Sequence, residues 1–201
     1  MPSLPRHPVG SELVVAEMVH NSEIYGPGNR TVIWVQGCTL ACKGCWNQDI
    51  WPSEGGVRQK VDVLIDTILH HGDSGITLMG GEPLQQSDSI LQLIQMARLH
   101  NLSIMLYSGY EEKELDEVQL RCVDLSDIVI LGRYVERLRD TTLRWRGSSN
   151  QTVRYPTERH RSELRREEHS VEIHMDENGL LKILGYPEKE LVNRLIDDDH
   201  L

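Results

Sequence analysis

The sequence predicts an α/β fold with a parallel sheet, and three observations carry that prediction. Short apolar runs at 31–35, 76–79, 102–107 and 128–131 have the length and composition of strands. Between the later runs lie segments whose apolar residues fall at helical spacing. The resulting order, βαβαβαβ, suits parallel strands joined by right-handed crossovers.

Each element has its own warrant. The first apolar-periodic segment is 13–19, and the turn-rich stretch 21–30 after it contains Gly26-Pro27-Gly28. Thr31-Val32-Ile33-Trp34-Val35 is β-branched and aromatic, hence a strand, and it runs straight into Gly37 and Cys38. The first cysteines therefore sit in a loop at the C-terminal end of a strand, where α/β folds place their chemistry. Val61, Leu64, Ile65, Ile68 and Leu69 recur at helical spacing, and Gly72 ends the pattern. Ile76-Thr77-Leu78-Met79, apolar and bounded by glycines, reads as a buried strand. A helix over 87–99 starts at Ser87 as N-cap. A strand at 102–107, a helical stretch at 111–121 and a strand at 128–131 follow. After Leu131 the chain turns polar and Arg-rich over 133–170, where Arg159, Arg161, Arg165 and Arg166 interleave with glutamates as in a solvated loop or charged helix. The runs 171–175 and 180–184 flank Asp176-Glu177-Asn178-Gly179, which predicts a hairpin around an Asn-Gly turn. A last helix over 187–197 starts at Pro187.

At 201 residues the chain suits one domain, or one with an appendage. Lys and Arg total 21 against 31 Asp and Glu, a net charge of −10 that argues against a nucleic-acid or anionic-membrane surface. No stretch approaches the ~20 apolar residues needed to span a bilayer, and no leader precedes residue 15, so a cytoplasmic protein is expected. Three of the 4 cysteines crowd into eight positions, a layout that suits metal binding in a reducing compartment.

The chemistry begins with Cys38, Cys42 and Cys45, a Cys-x3-Cys-x2-Cys spacing that folds three thiolates around one soft-metal centre. On a four-iron cube, three ligands leave one iron open to act on a bound molecule. A structural zinc would instead need a fourth ligand such as Cys122 or one of the 9 His, and zinc ligands usually arrive as two pairs. One strand later stands Gly80-Gly81-Glu82-Pro83. The glycines leave backbone uncovered, and Glu82 offers an acceptor-only carboxylate suited to an ammonium group. Read alone, this is a tight strand-to-helix turn. Gln36 and Asn47 read as turn residues, Cys122 as a small buried hydrophobe and His70-His71 as a helix-end pair.

Together the cysteine triplet and the Gly-Gly-Glu segment resemble the radical S-adenosylmethionine superfamily. One departure is Gly44, where that superfamily often has an aromatic residue; here the aromatic is Trp46, after the third cysteine. The Cys-x-Gly-Cys-Trp-Asn form resembles the small activating proteins of anaerobic (class III) ribonucleotide reductase. The likeness continues in Gly26-Pro27-Gly28, in Tyr107-Ser108-Gly109-Tyr110, and in Arg146-Gly147-Ser148-Ser149-Asn150-Gln151, and it spans about residues 13–153.

The resemblance implies an incomplete (βα) barrel of mainly parallel strands as a core domain over 1–155. Beyond the likeness, the charged connection, hairpin and helix of 156–201 are expected to form a C-terminal extension packed on the same domain. It implies a 4Fe-4S cluster on Cys38, Cys42 and Cys45, with S-adenosyl-L-methionine bound by Gly80, Gly81 and Glu82 and bordered by Gly44, Trp46 and Ser108. The cosubstrate would be cleaved reductively to a 5′-deoxyadenosyl radical, which takes a hydrogen atom from a glycine of the partner reductase. A flavodoxin-type or ferredoxin-type protein would supply the electron, and neither nucleic acid nor membrane takes part. Arg144 and Arg146 are candidates for partner docking. Two other readings stand beside this one: the same chemistry on a peptide or small molecule, and a non-enzymatic iron-sulfur or zinc module. The last predicts that Glu82→Ala and Gly81→Val leave function intact.

Overall fold

The computed structural model describes residues 11–162, 171–175, 181–185, 190, 193 and 194. Seven strands form one open sheet: β1 (Glu12–Ser22), β2 (Arg30–Val35), β3 (Val57–Lys60), β4 (Gly75–Gly80), β5 (Ser103–Ser108), β6 (Ile128–Leu131) and β7 (Thr152–Arg154). Their spatial order is β3-β1-β2-β4-β5-β6-β7. The four central strands, β2, β4, β5 and β6, are parallel to one another. The outer strands β3, β1 and β7 pair antiparallel. The core is thus a parallel sheet, as its sequence predicts, with antiparallel margins that the sequence does not announce.

Both faces of the central strands are covered, which is why their sequences are continuously apolar rather than alternating. Ile33, Val35, Ile76, Leu78, Ile104, Leu106, Val129 and Leu131 face three helices, α1 (Val61–His71), α2 (Ser87–Leu99) and α3 (Glu117–Asp124). Each helix turns an apolar stripe to the sheet, as with Leu64, Ile65 and Ile68 of α1. Gly72 caps α1 in the left-handed conformation, and Asp116 caps α3 through the Gln119 amide. On the opposite face, Val32 and Trp34 pack with Val19 and Leu184, and Met105, Ile128 and Ile130 pack with Trp145.

Arg30 fills the floor of that second face and is 0% exposed. Its guanidinium donates to Thr77 Oγ1 (2.8 Å), the Pro27 carbonyl (2.9 Å), Ser103 Oγ (3.1 Å) and the Ile76 carbonyl (2.6 Å). A Cβ on Gly26 or Gly75 would lie 2.7 Å or 2.6 Å from this side chain. The Gly-Pro-Gly loop therefore packs on Arg30 at the N-terminal ends of the strands, away from the cysteines.

The Arg-rich connection departs from its sequence reading over 133–155. Trp145 is buried against β5 and β6, and β7 pairs with β6, so this stretch is packed wall rather than solvated loop. Beyond it, Thr157 Oγ1 donates to Asp127 (2.6 Å) and His160 bonds Ser103 Oγ (2.7 Å). Strands β8 (Val171–Met175) and β9 (Leu181–Gly185) pair antiparallel. They dock through buried Leu184, the Lys182–Glu17 ion pair, Ser22 Oγ donating to Glu172 (2.8 Å) and the Gly185 amide donating to Tyr25 (2.9 Å). The Asn-Gly turn at 176–179 and all but three residues of the 187–197 helix lie outside the described residues. Among those described, no helix is long and apolar enough to cross a membrane.

Candidate functional site

The C-terminal ends of β2, β4, β5 and β6 open into one cleft. β2 delivers the cysteine loop to it. That loop closes on itself: the Gly37 amide donates to the Ile50 carbonyl (2.8 Å) and the Cys38 amide to the Trp51 carbonyl (2.9 Å). Gln36 braces the exit by donating to the carbonyls of Pro52 (2.7 Å) and Glu54 (3.1 Å). Ala41 and Gly44 take positive φ, 48° and 73°, to turn the chain between cysteines.

Cys38, Cys42 and Cys45 all line the cleft as half-buried free thiols. Burial pushes the Cys38 thiol up against the opposing pull of the Leu40 and Ala41 amides. Burial likewise raises Cys42, opposed by the Tyr134 amide and the charge of Arg133. Among the described residues, no three His, Cys, Asp or Glu side chains converge on a single metal ion. Three soft donors on one cleft wall, with amides already aimed at sulfur, suit an iron-sulfur group, whose thiolates sit on separate irons.

β4 delivers the Gly-Gly-Glu turn, and the structure explains both glycines by close approach. Gly80 has φ 106°, and a Cβ there would lie 2.6 Å from Trp34 Cα; one on Gly81 would lie 2.2 Å from the Gly37 carbonyl oxygen. This proximity lets the Gly81 amide donate to Val35 (2.8 Å) and the Glu82 amide to Gly37 (2.9 Å), locking the turn to the start of the cysteine loop. Asn47 ties the loop back by donating to the Gly80 carbonyl (3.2 Å). Glu82 is 1% exposed; its oxygens accept from the Leu84 amide (3.0 Å) and the Gly109 amide (2.7 Å). Burial pushes its carboxyl up to about 7, against the lowering effect of those two amides, the Ser108 hydroxyl and Arg133. Glu82→Ala and Gly81→Val therefore disturb the frame itself, and neither separates an enzyme from a structural module.

The structure brings Trp46, Gly80, Gly81, Glu82 and Ser108 to the same cleft as the cysteines. Trp46 is 48% exposed at its mouth, with the Arg139 guanidinium 4.7 Å over its ring. Ser108 is also a hydrogen-bonded strand end, accepting from the Tyr110 amide (3.1 Å). Gly44 is not in the lining; it packs against Glu136, whose carboxylate would lie 3.0 Å from a Cβ there. Cys122 lies in the core, its thiol pushed up to about 12 by burial. His71 stacks on His20 at 3.5 Å, away from the cleft lining. Arg144 stacks on Trp145, and Arg146 donates to the Gln151 carbonyl (3.3 Å), so both brace their own loop.

Sequence reasoning missed Met79, Tyr107, Gly132, Tyr134, Gly147 and Gln151 in the lining. The strand-end rule that found the cysteines also points to Gly132, just past β6. Gly147 and Gln151 carried no signal beyond the motif resemblance, because a polar turn looks the same wherever it folds.

Residues 24–154 match the family model for a 4Fe-4S single cluster domain. The chain is similar to the anaerobic ribonucleoside-triphosphate reductase-activating protein of Salmonella typhimurium, 37% identical over 66% of this chain and 92% of that one. The protein of the same name from Escherichia coli K12 is 36% identical, with the same coverage. That of Enterobacteria phage T4 is 34% identical over 65% of this chain and 86% of its own. Among solved structures, the chain has a likeness to QueE from Escherichia coli, with a TM-score of 0.46 and 15% identity over 58% of this chain and 68% of that one.

Proposed function

Because the chain belongs to the family of anaerobic ribonucleoside-triphosphate reductase-activating proteins, we propose that its cleft carries out radical S-adenosylmethionine chemistry that installs a glycyl radical on that reductase. The single observation that carries this reading is the meeting of the cysteine triplet and the Gly-Gly-Glu turn in one cleft at adjacent strand ends. When bound, a reduced 4Fe-4S cluster supplies the electron that splits S-adenosylmethionine into methionine and a 5′-deoxyadenosyl radical, which takes a hydrogen atom from the partner's glycine.

The chain's own residues bind, orient and shield. Cys38, Cys42 and Cys45 hold the cluster, leaving one iron for the cosubstrate. Glu82 accepts the methionine ammonium on the lone pairs its two backbone bonds leave over, from a position that Gly109 and Leu84 hold rigid. Gly80 and Gly81 keep that turn flush against β2. Ser108 and Trp46 border the nucleoside, and the aromatic walls Tyr107 and Tyr134 keep water from the reacting carbon. Exposed Ala41 and Lys43 leave the cysteine loop reachable by a small flavodoxin-type or ferredoxin-type donor.

The same reading divides the chain into a core over 1–155, an incomplete barrel, and an extension over 156–201 on the same domain. Helices on a single face of the open sheet support the barrel, and the docking of β8 and β9 on its other face supports the extension.

The test is anaerobic reconstitution with iron and sulfide, reduction, and addition of S-adenosylmethionine and the partner reductase. The expected products are 5′-deoxyadenosine and a glycyl radical seen by electron paramagnetic resonance, lost in Cys42→Ala and kept in Cys122→Ala. Cleavage without a radical on the reductase would move the substrate to a peptide or small molecule. No cleavage from a loaded, reduced protein with the reductase present would leave the non-enzymatic module.

A further inference from the structure

We infer that Gln85 is a positioning residue: it clamps the segment between the first two cysteines to the turn that presents Glu82, so that the thiols and the carboxylate keep one spacing. The inference deepens the proposed function and rests on its reading of Cys38, Cys42 and Glu82.

The clamp is reciprocal. Gln85 Oε1 accepts from the Thr39 amide (3.1 Å), and its Nε2 donates to Thr39 Oγ1 (2.7 Å). The same Nε2 donates to the Tyr110 hydroxyl (3.0 Å), and Tyr110 packs against the core. One residue along, Leu40 fills the space that a Cβ on Gly109 would take, while the Gly109 amide donates to Glu82 (2.7 Å). Thr39 and Leu40 are thus fastened at adjacent points to the groups that hold Glu82. Among the described residues, no backbone–backbone hydrogen bond involves Thr39, Leu40 or Ala41, so side chains set the place of this segment.

The other end of the clamp is fixed. Gln85 belongs to the short helical turn Pro83–Gln86, three residues after Glu82. Leu84 is buried in the core, and its carbonyl accepts from Gln119 Nε2 of α3 (2.9 Å). Gln86 accepts from the Val14 amide of β1 (2.8 Å) and donates to the Val14 carbonyl (3.2 Å) and to the Gln36 carbonyl (3.0 Å) at the end of β2. One turn therefore carries Glu82 at its head and the anchor of the cysteine segment near its tail. Water competes for hydrogen bonds as exposed as those of Gln85, so their loss changes global stability little. A binding constellation, by contrast, must hold its groups within about 0.5 Å, and there a slack segment is felt. Gln85 acts through Thr39 and need touch neither cluster nor cosubstrate.

Two readouts on the full chain test the inference. In the empty protein, Gln85→Ala and Thr39→Val are expected to speed alkylation of Cys38 and Cys42 by iodoacetamide, read residue by residue by mass spectrometry. Thr39→Ser, which keeps the hydroxyl, is expected to match the parent. In the reconstituted protein at matched iron content, Gln85→Ala is expected to weaken S-adenosylmethionine binding about three- to tenfold, followed through the electron paramagnetic resonance signal of the reduced cluster. Adding Thr39→Val to Gln85→Ala should weaken it little further, because both remove one clamp. Parent-like alkylation in Gln85→Ala overturns the clamp, and parent-like binding in the loaded variant overturns its positioning role. Should Gln85→Ala not load, parent-like binding in Thr39→Val does the same. A loaded parent that binds no S-adenosylmethionine instead overturns the proposed function and the positioning role with it, while the alkylation rates still decide whether the clamp exists.

Discussion

The Glu82 carboxylate accepts the Gly109 amide at 2.7 Å, so the turn after β4 is stitched to the end of β5. Its other oxygen accepts the Leu84 amide at 3.0 Å. In Glu82→Gln one oxygen becomes an NH2 group that meets one of these amides donor to donor. Leaving a buried amide without its acceptor costs about 1–3 kcal/mol. At about 2–4 °C per kcal/mol for a chain of this size, the loss is visible as a lower Tm of the empty protein. A Tm equal to the parent's would mean that the stitch contributes nothing in solution.

The same carboxyl links stability to pH. Its folded value of about 7 lies above the ordinary 4.5, so the native state holds this proton more tightly than the unfolded chain does. The stability it contributes is full below the unfolded value and lost as pH rises through about 7. Denaturant midpoints of the empty protein measured across that window should decline more in the parent than in Glu82→Gln. On the proposed function, cosubstrate affinity should run the other way, weakening below pH 7 as the carboxylate proposed to accept the ammonium is protonated. Parallel midpoint curves for parent and variant would count against the buried titration.

Glycine substitutions should separate close approach from backbone conformation. A Cβ on Gly81 would strike the backbone of Gly37, whereas one on Gly72, at φ 74°, meets nothing within 4 Å. Gly72→Ala should cost only about 1 kcal/mol for its left-handed cap. Gly81→Ala must separate β4 from the cysteine loop, so it should lower stability further and reduce cluster loading, read as iron per protein. Equal losses in the two variants would contradict the packing described for the turn.

Arg30 offers a test at the opposite end of the sheet. Arg30→Leu strips donors from the Ile76, Pro27 and Ser103 acceptors and leaves the space beside Gly26 and Gly75 misfilled. Loss of such a buried polar hub should cost about 3–5 kcal/mol by chemical denaturation. Because the cysteine loop lies at the other end, the fraction that remains folded should load iron as the parent does. Unimpaired stability would show that the floor is not built around this side chain.

Much of this protein is legible in its sequence because the signals are local. The central βαβαβαβ order follows from apolar runs and helical spacings that need no knowledge of neighbours, and the structure reproduces it. The cysteine triplet is legible for the same reason: its three thiols fall within eight positions of one loop. The edge strands β3 and β7 were not legible, since Val57-Arg58-Gln59-Lys60 and Thr152-Val153-Arg154 pair through backbone groups and carry no apolar pattern.

What the sequence alone determined is the succession of strands and helices and the gathering of three cysteines in one strand-end loop. Tertiary structure decided which distant residues share the cleft, bringing Tyr134 and Gln151 into the lining that also holds Cys42, and turned Gly80-Gly81 from uncovered backbone into a close contact with Trp34 and Gly37. It also placed Arg30 inside the fold, where a lone arginine in a turn would read as surface. The physical reason is range: propensity and residue spacing act within a few residues, whereas burial and close approach exist only once remote strands have taken their register.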